Sequence, residues 1–201
     1  MTTTAAPSQP PRSAPGDRTS PDLADLLRTS RANTGQSLDE LSRQAPALVV
    51  FLRHTGCPFC REAMRDVHRQ REAIAAAGVT PVFVHQGPED EAARAIFECE
   101  HVADIPRISD PDRHLYRAFE LRRGNLWQMF GPKVWWRSMQ AIATGSRAGR
   151  VVGDAFQMPG VFVLHKGRIV RAFRHASQAD RPDYQGISCD AARCTKDWGR
   201  E

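Results

Sequence analysis

Ala47-Leu48-Val49-Val50-Phe51-Leu52-Arg53-His54-Thr55-Gly56-Cys57-Pro58-Phe59-Cys60 is the stretch on which the reading of the fold turns. Its first six residues are apolar, too few for a helix of ordinary length, and bounded by Pro46 and Gly56, which is the pattern of a strand buried on both faces. Directly afterwards the period changes. Cys60, Ala63, Met64 and Val67 recur at helical spacing, Pro58 suits the first helical position and Gly78 supplies the stop, so a helix is predicted over 58–77. Two cysteines, separated by two residues, therefore sit where a strand hands over to a helix.

That placement decides the chemistry expected of them. The thiolate is the nucleophile, and a thiol is acidified when unpaired backbone N–H groups and the helix macrodipole face it. Cys57 directly precedes the predicted helix start, and Arg53, His54 and Arg61 lie close enough in sequence to add positive potential. Cys60 lies one turn on and shares the apolar stripe, so Cys57 is expected to be the exposed attacking thiol and Cys60 the more buried resolving one. Two alternatives stand beside redox chemistry: a pair of inert packed cysteines, and half of a zinc site completed by Cys189 and Cys194. The second pair is spaced by four residues in a segment with no other structural signal, unlike the tighter knuckles of structural zinc.

Outward from the dithiol, 80–85 reads as a second apolar strand, and Gly87-Pro88-Glu89-Asp90-Glu91 opens a second helix with acidic residues at its positive end. The resulting β-α-β-α order implies an α/β protein with a central mixed sheet flanked by helices and right-handed crossovers. A short strand over 105–108 and a helix over 114–121 follow. Residues 125–143 carry Trp127, Phe130, Trp135, Trp136 and Met139 around Gly131-Pro132, and read as a helical insertion whose tryptophans suit the domain core, a substrate-facing wall or a homodimer seam. Strands at 161–164 and 168–173 flank His165-Lys166-Gly167 as a hairpin. His165 and His175, on or beside it, read as surface residues without a role.

At 201 residues with net charge +5 and 41% hydrophobic content, the chain suits one soluble domain. Residues 1–21 hold five of the fourteen prolines and no apolar run, so they read as a disordered tail, with the domain over 22–184 and an extended tail over 185–201. No run approaches the length of a membrane span and no secretory leader is visible, which points to the cytoplasm. The basic residues are interleaved with acidic ones, as in 61–72, and do not form a nucleic-acid-binding stripe. No cofactor and no membrane partner is expected. Cys99 reads as a core cysteine with a resolving role as the alternative, and Cys189 and Cys194 as surface thiols or further resolving candidates.

The segments Val50 to Glu62 and Gly160 to Leu164, with Ser109-Asp110-Pro111 and Tyr116-Arg117-Ala118-Phe119, resemble the peroxiredoxin-like branch of the AhpC/TSA antioxidant family, within the thioredoxin-fold superfamily. The resemblance implies a thioredoxin-like fold that reduces hydroperoxides or disulfides through the first cysteine, with thioredoxin or glutathione as the reductant. It also implies that Pro159, just before a late strand, is a cis-proline packed against the dithiol. Two positions depart from the family pattern. His54 stands where peroxiredoxins carry a threonine three residues before the attacking cysteine, and Pro159 where they carry an arginine. Both exchanges move the site toward thioredoxin and glutaredoxin, so a thiol-disulfide oxidoreductase, or a non-enzymatic thioredoxin-fold or zinc-binding module, remains beside the peroxidase.

Overall fold

Strand β1 (Ala47–Phe51) is buried along its whole length, and its alternate side chains enter two different cores. Leu48 and Val50 face one way with Phe83, Val161 and Val163; Ala47, Val49 and Phe51 face the other with Val82, Val84, Phe162 and Leu164. A period of two along each strand thus generates three layers. The computed structural model describes residues 21–54, 57–124, 153–177 and 180–197. The expected N-terminal tail other than Pro21, and the insertion 125–143, lie outside the described residues, as do Thr55, Gly56 and the side chain of Cys194.

The sheet has five strands in the order β3-β2-β1-β4-β5. β1 pairs in parallel with β2 (Thr80–His85), which pairs in parallel with β3 (Arg107–Ser109). β4 (Gly160–His165) runs antiparallel to β1, and β5 (Arg168–Arg174) antiparallel to β4 across the expected hairpin. The mixed sheet flanked by helices agrees with the expectation. β3 begins two residues later than the spacing predicts, because Ile105 closes a turn onto Val102 and only Phe83 to His85 offer partners.

One face carries α3 (Pro58–Ala76), α4 (Glu91–Cys99) and α6 (Tyr184–Asp197); the other carries α1 (Pro21–Thr29), α2 (Leu38–Gln44) and α5 (His114–Ala118). Pro58 opens α3, and Gly78 at φ +72° follows its cap, as the sequence predicts. α2 was not anticipated. Its entry is a capping box: the Ser37 side chain accepts from Glu40 N–H, and the Glu40 carboxylate accepts from Ser37 N–H at 2.7 Å. α6 corrects the expectation of an extended tail over 185–201. Tyr184 and Ala191 are buried in the dithiol-side core and Ile187 packs against it, so that helix lies on α3 and completes the domain.

Candidate functional site

Four elements converge at the C-terminal end of β1. Phe51 pairs with Gly160 of β4, which pairs with Arg174 of β5, so Leu52-Arg53, Pro159 and His175 leave the sheet side by side. α3 starts above this edge with Cys57 as its N-cap residue. Together with α6 they form a pocket that opens to solvent, lined by Arg53, Cys57, Cys60, Pro159, His175 and Tyr184 among others.

The backbone before the dithiol is held from three sides. Tyr116 of α5 donates its hydroxyl to the carbonyl of Leu52 and, at 3.1 Å, to that of Val84. Gln86 donates its side-chain amide to the Arg53 carbonyl and accepts from Asp154 N–H at 2.8 Å. Gly153, at φ +101°, lies so close to Gln86 that a Cβ there would approach its side chain to 2.7 Å. Arg53 N–H donates to Cys60 Sγ at 3.1 Å. The strand end thus grips the second cysteine through the main chain, independently of the Arg53 side chain.

Both cysteines are free thiols and both are buried, Cys57 at 2% and Cys60 at 4% exposure. The expectation of an exposed Cys57 is therefore corrected: His175, Arg181, Pro182 and Tyr184, more than a hundred positions away in the chain, line the same pocket, a long-range packing that no local pattern reports. What separates the two thiols is electrostatics. The hydrogen bond from Cys60 holds the Cys57 thiol well below its ordinary value, against the opposing effect of burial, helped by the Arg53 charge and by the N–H groups of Cys60 and Phe59. Burial pushes the Cys60 thiol up, reinforced by the same hydrogen bond and by the charge on Cys57.

The flanking residues divide. Arg53 is buried at 7% exposure, lines the pocket and bonds its Nη2 to His54 Nε2 at 3.0 Å. His54 is buried beneath it; burial and then the Arg53 charge lower its pKa to about 4, so a neutral ring accepts from the guanidinium. Arg61 turns away toward Glu100, 3.7 Å off, and does not line the pocket. Pro159 lines it, but with a trans peptide bond rather than the expected cis one: no cis bond occurs among the described residues. It leads into β4, where its missing N–H costs no ladder bond.

Several pocket residues were missed by the sequence reading. Asp66, nine residues beyond Cys57, is buried at 3% exposure and accepts from Arg181 Nε at 2.6 Å and Nη2 at 2.5 Å, while Arg181 also reaches Glu62 at 3.2 Å. This ion pair ties the 180–184 segment to α3. His175, read as a surface residue, lines the pocket, and burial lowers its pKa to about 4. Cys99, expected in the core, is exposed on α4; Cys189 is half-buried on α6. Among the described residues no group of three His, Cys, Asp or Glu side chains is arranged to hold a metal ion, and no helix is long and apolar enough to cross a membrane.

Residues 66–177, more than half of the chain, match the profile of the AhpC/TSA antioxidant enzyme family. The chain belongs to the AhpC/TSA antioxidant enzyme family. The part of this AhpC/TSA protein that matches begins at Asp66, after β1 and the dithiol, so the family assignment rests on strands β2 to β5 and the helices among them rather than on the cysteines. Among curated proteins it is similar to the prostamide/prostaglandin F synthase of Danio rerio, 25% identical over 171 residues that cover 82% of this chain and 83% of that protein. It is also similar to the chloroplastic thioredoxin-like protein AAED1 of Arabidopsis thaliana, 26% identical over 110 residues; these cover 55% of this chain and 43% of that protein, so the match spans less than half of the relative. Solved structures with the same fold include the peroxidoxin BcpB of Mycobacterium tuberculosis, with TM-score 0.56, 16% identity and 82% and 90% of the two chains covered. The bacterioferritin comigratory protein of Xanthomonas campestris aligns with TM-score 0.59 and 16% identity, over 86% and 94% of the two chains. The AhpC/TSA protein thus has the thioredoxin-like fold of peroxiredoxins.

Proposed function

We propose that this protein is a thiol-dependent peroxidase in which Cys57 attacks and Cys60 resolves. One observation carries the reading: Cys57 is the N-cap residue of α3 and lines a pocket together with Cys60, whose hydrogen bond favours the Cys57 thiolate. The Cys57 thiolate attacks the terminal oxygen of a hydroperoxide, the S–O bond forms as the O–O bond breaks, and the alkoxide leaves as alcohol after taking a proton from water. Cys57 sulfenic acid then condenses with the Cys60 thiol, releasing water and leaving a disulfide. Two equivalents of an external thiol, of the thioredoxin or glutathione class, restore the dithiol. A reducing compartment such as the cytoplasm supplies that reductant.

Arg53 takes the place of the family's missing arginine as the buried cation beside the attacked oxygen, and His54 orients it. Pro159 shapes the wall across from the sulfur. Coupled turnover of an organic hydroperoxide with reduced thioredoxin or glutathione tests the proposal: Cys57→Ser is expected to abolish consumption. Consumption that survives Cys57→Ser would overturn it.

A second reading, thiol-disulfide oxidoreductase, is favoured by the turn of His54 into the protein, which leaves no side chain of residue 54 in the pocket to orient a peroxide. Reduction of a disulfide substrate without peroxide turnover would select it.

A further inference from the structure

Resting on the peroxidase reading, we infer that His175 is a substrate-contacting residue, its ring accepting a hydrogen bond from the O–H of a hydroperoxide bound over Cys57. Register places it there. Phe51, Gly160 and Arg174 lie in line across β1, β4 and β5, so His175 emerges from the sheet two strand spacings, roughly 10 Å, from the residue that leads into the dithiol loop. Alternation then fixes the face. Arg174 lays its guanidinium over Phe162 and bonds Glu120 on the side away from the dithiol. Phe173 packs against the core that contains Cys57 and Cys60, and the His175 ring stands edge-on to Phe173 at 5.2 Å and 81°. His175 therefore faces the same side as the two sulfurs and lines the same pocket.

Its bonding leaves it available. Nδ1 of His175 is buried and has no hydrogen-bond partner, and of the five histidines with such a nitrogen among the described residues it is the one that lines the pocket. The other nitrogen-bearing side chains lining the pocket, Arg53 and Arg181, bond to His54 and to Asp66 respectively. Asp180, whose charge acts on the ring, is engaged by the N–H groups of Ala176 and Ser177 and the Ser177 hydroxyl. The Ser177 backbone already takes the ring's one N–H and burial keeps the imidazole neutral, so the remaining nitrogen presents a lone pair that can accept the O–H of a hydroperoxide and orient its O–O bond toward the Cys57 sulfur. The proton that completes the alcohol comes from water.

The test compares two rates at one pH: oxidation of reduced Cys57 by cumene hydroperoxide in stopped flow, and alkylation of Cys57 by iodoacetamide. Two variants are made. His175→Phe keeps the ring on Phe173 without nitrogen; His175→Asn keeps an amide near the position of Nδ1. His175→Phe is expected to slow oxidation about tenfold or more while alkylation stays within about twofold, and His175→Asn to recover most of the loss. Wild-type oxidation in His175→Phe, or a parallel fall of both rates, would overturn the assignment. If the wild-type thiol alkylates readily yet ignores hydroperoxide, the peroxidase reading itself falls, and that outcome is distinct from either.

Discussion

A sulfur at a helix N-terminus is stabilised as an anion by groups that already point at it, and here the largest of them is another cysteine. The Cys60 hydrogen bond outweighs burial at Cys57, so the two thiols cannot be treated separately. Cys60→Ala is therefore expected to raise the midpoint of Cys57 alkylation against pH toward or beyond the free-thiol value of about 8.5, whereas the wild-type midpoint lies below it. An unchanged midpoint would shift the credit to Arg53 and the helix. His54 makes a second residue-scale prediction. Its pKa is about 4 in the folded protein against the ordinary 6.5, so as pH falls from about 6.5 to about 4 the unfolded chain takes up a proton that the folded one refuses, and stability is lost across that window. His54→Gln, which still accepts from Arg53, is expected to flatten the fall in melting temperature between pH 7 and pH 4.5. A profile parallel to wild type would show that other groups carry the acid sensitivity.

Elements position these residues, and they were legible in unequal degree. β1, the proline-opened α3, β2 and the acidic start of α4 announce themselves through local period and caps. The Ser37-Leu38-Asp39-Glu40 capping box was equally present in the sequence and marks α2, though the eye is drawn past it by the polar stretch before it. α6 has a helical repeat too, Tyr184, Ile187, Ser188 and Ala191, with the Asp183 side chain accepting from Gly186 N–H at 3.0 Å. Gly186 and the small size of its buried residues mute that signal. The Arg181 link between α3 and the segment that leads into α6 has no local signal at all, since its acceptors lie more than a hundred positions earlier. Removing one partner of a buried ion pair leaves the other uncompensated. Asp66 retains Arg69, and Arg181 is half-exposed, so Arg181→Ala is expected to cost about 1–3 kcal/mol in urea unfolding and to speed alkylation of the buried Cys57 severalfold. Equal stability and equal alkylation would show that packing of Tyr184 alone holds the segment.

In the whole molecule, three layers bring the ends of β1, β4 and β5 to one edge and set α3 and α6 above it. The dithiol was readable because strand, cysteines and helix are contiguous in the chain. Its surroundings were not: the neutral His54, the outward-turned Arg61, the trans Pro159 and the approach of His175, Arg181 and Tyr184 to the pocket are settled by tertiary packing. Family membership fixes the fold and the antioxidant class, but the matched region starts beyond both cysteines, so the roles of Cys57 and Cys60 need their own test. The most direct is to add one equivalent of hydrogen peroxide or an organic hydroperoxide to the fully reduced protein and to locate the oxidised cysteines by intact and peptide mass spectrometry. The account predicts rapid loss of two hydrogens as a Cys57–Cys60 disulfide that does not form in Cys57→Ser. A Cys57 that stays reduced, or a first oxidation at Cys99, Cys189 or Cys194, would contradict it.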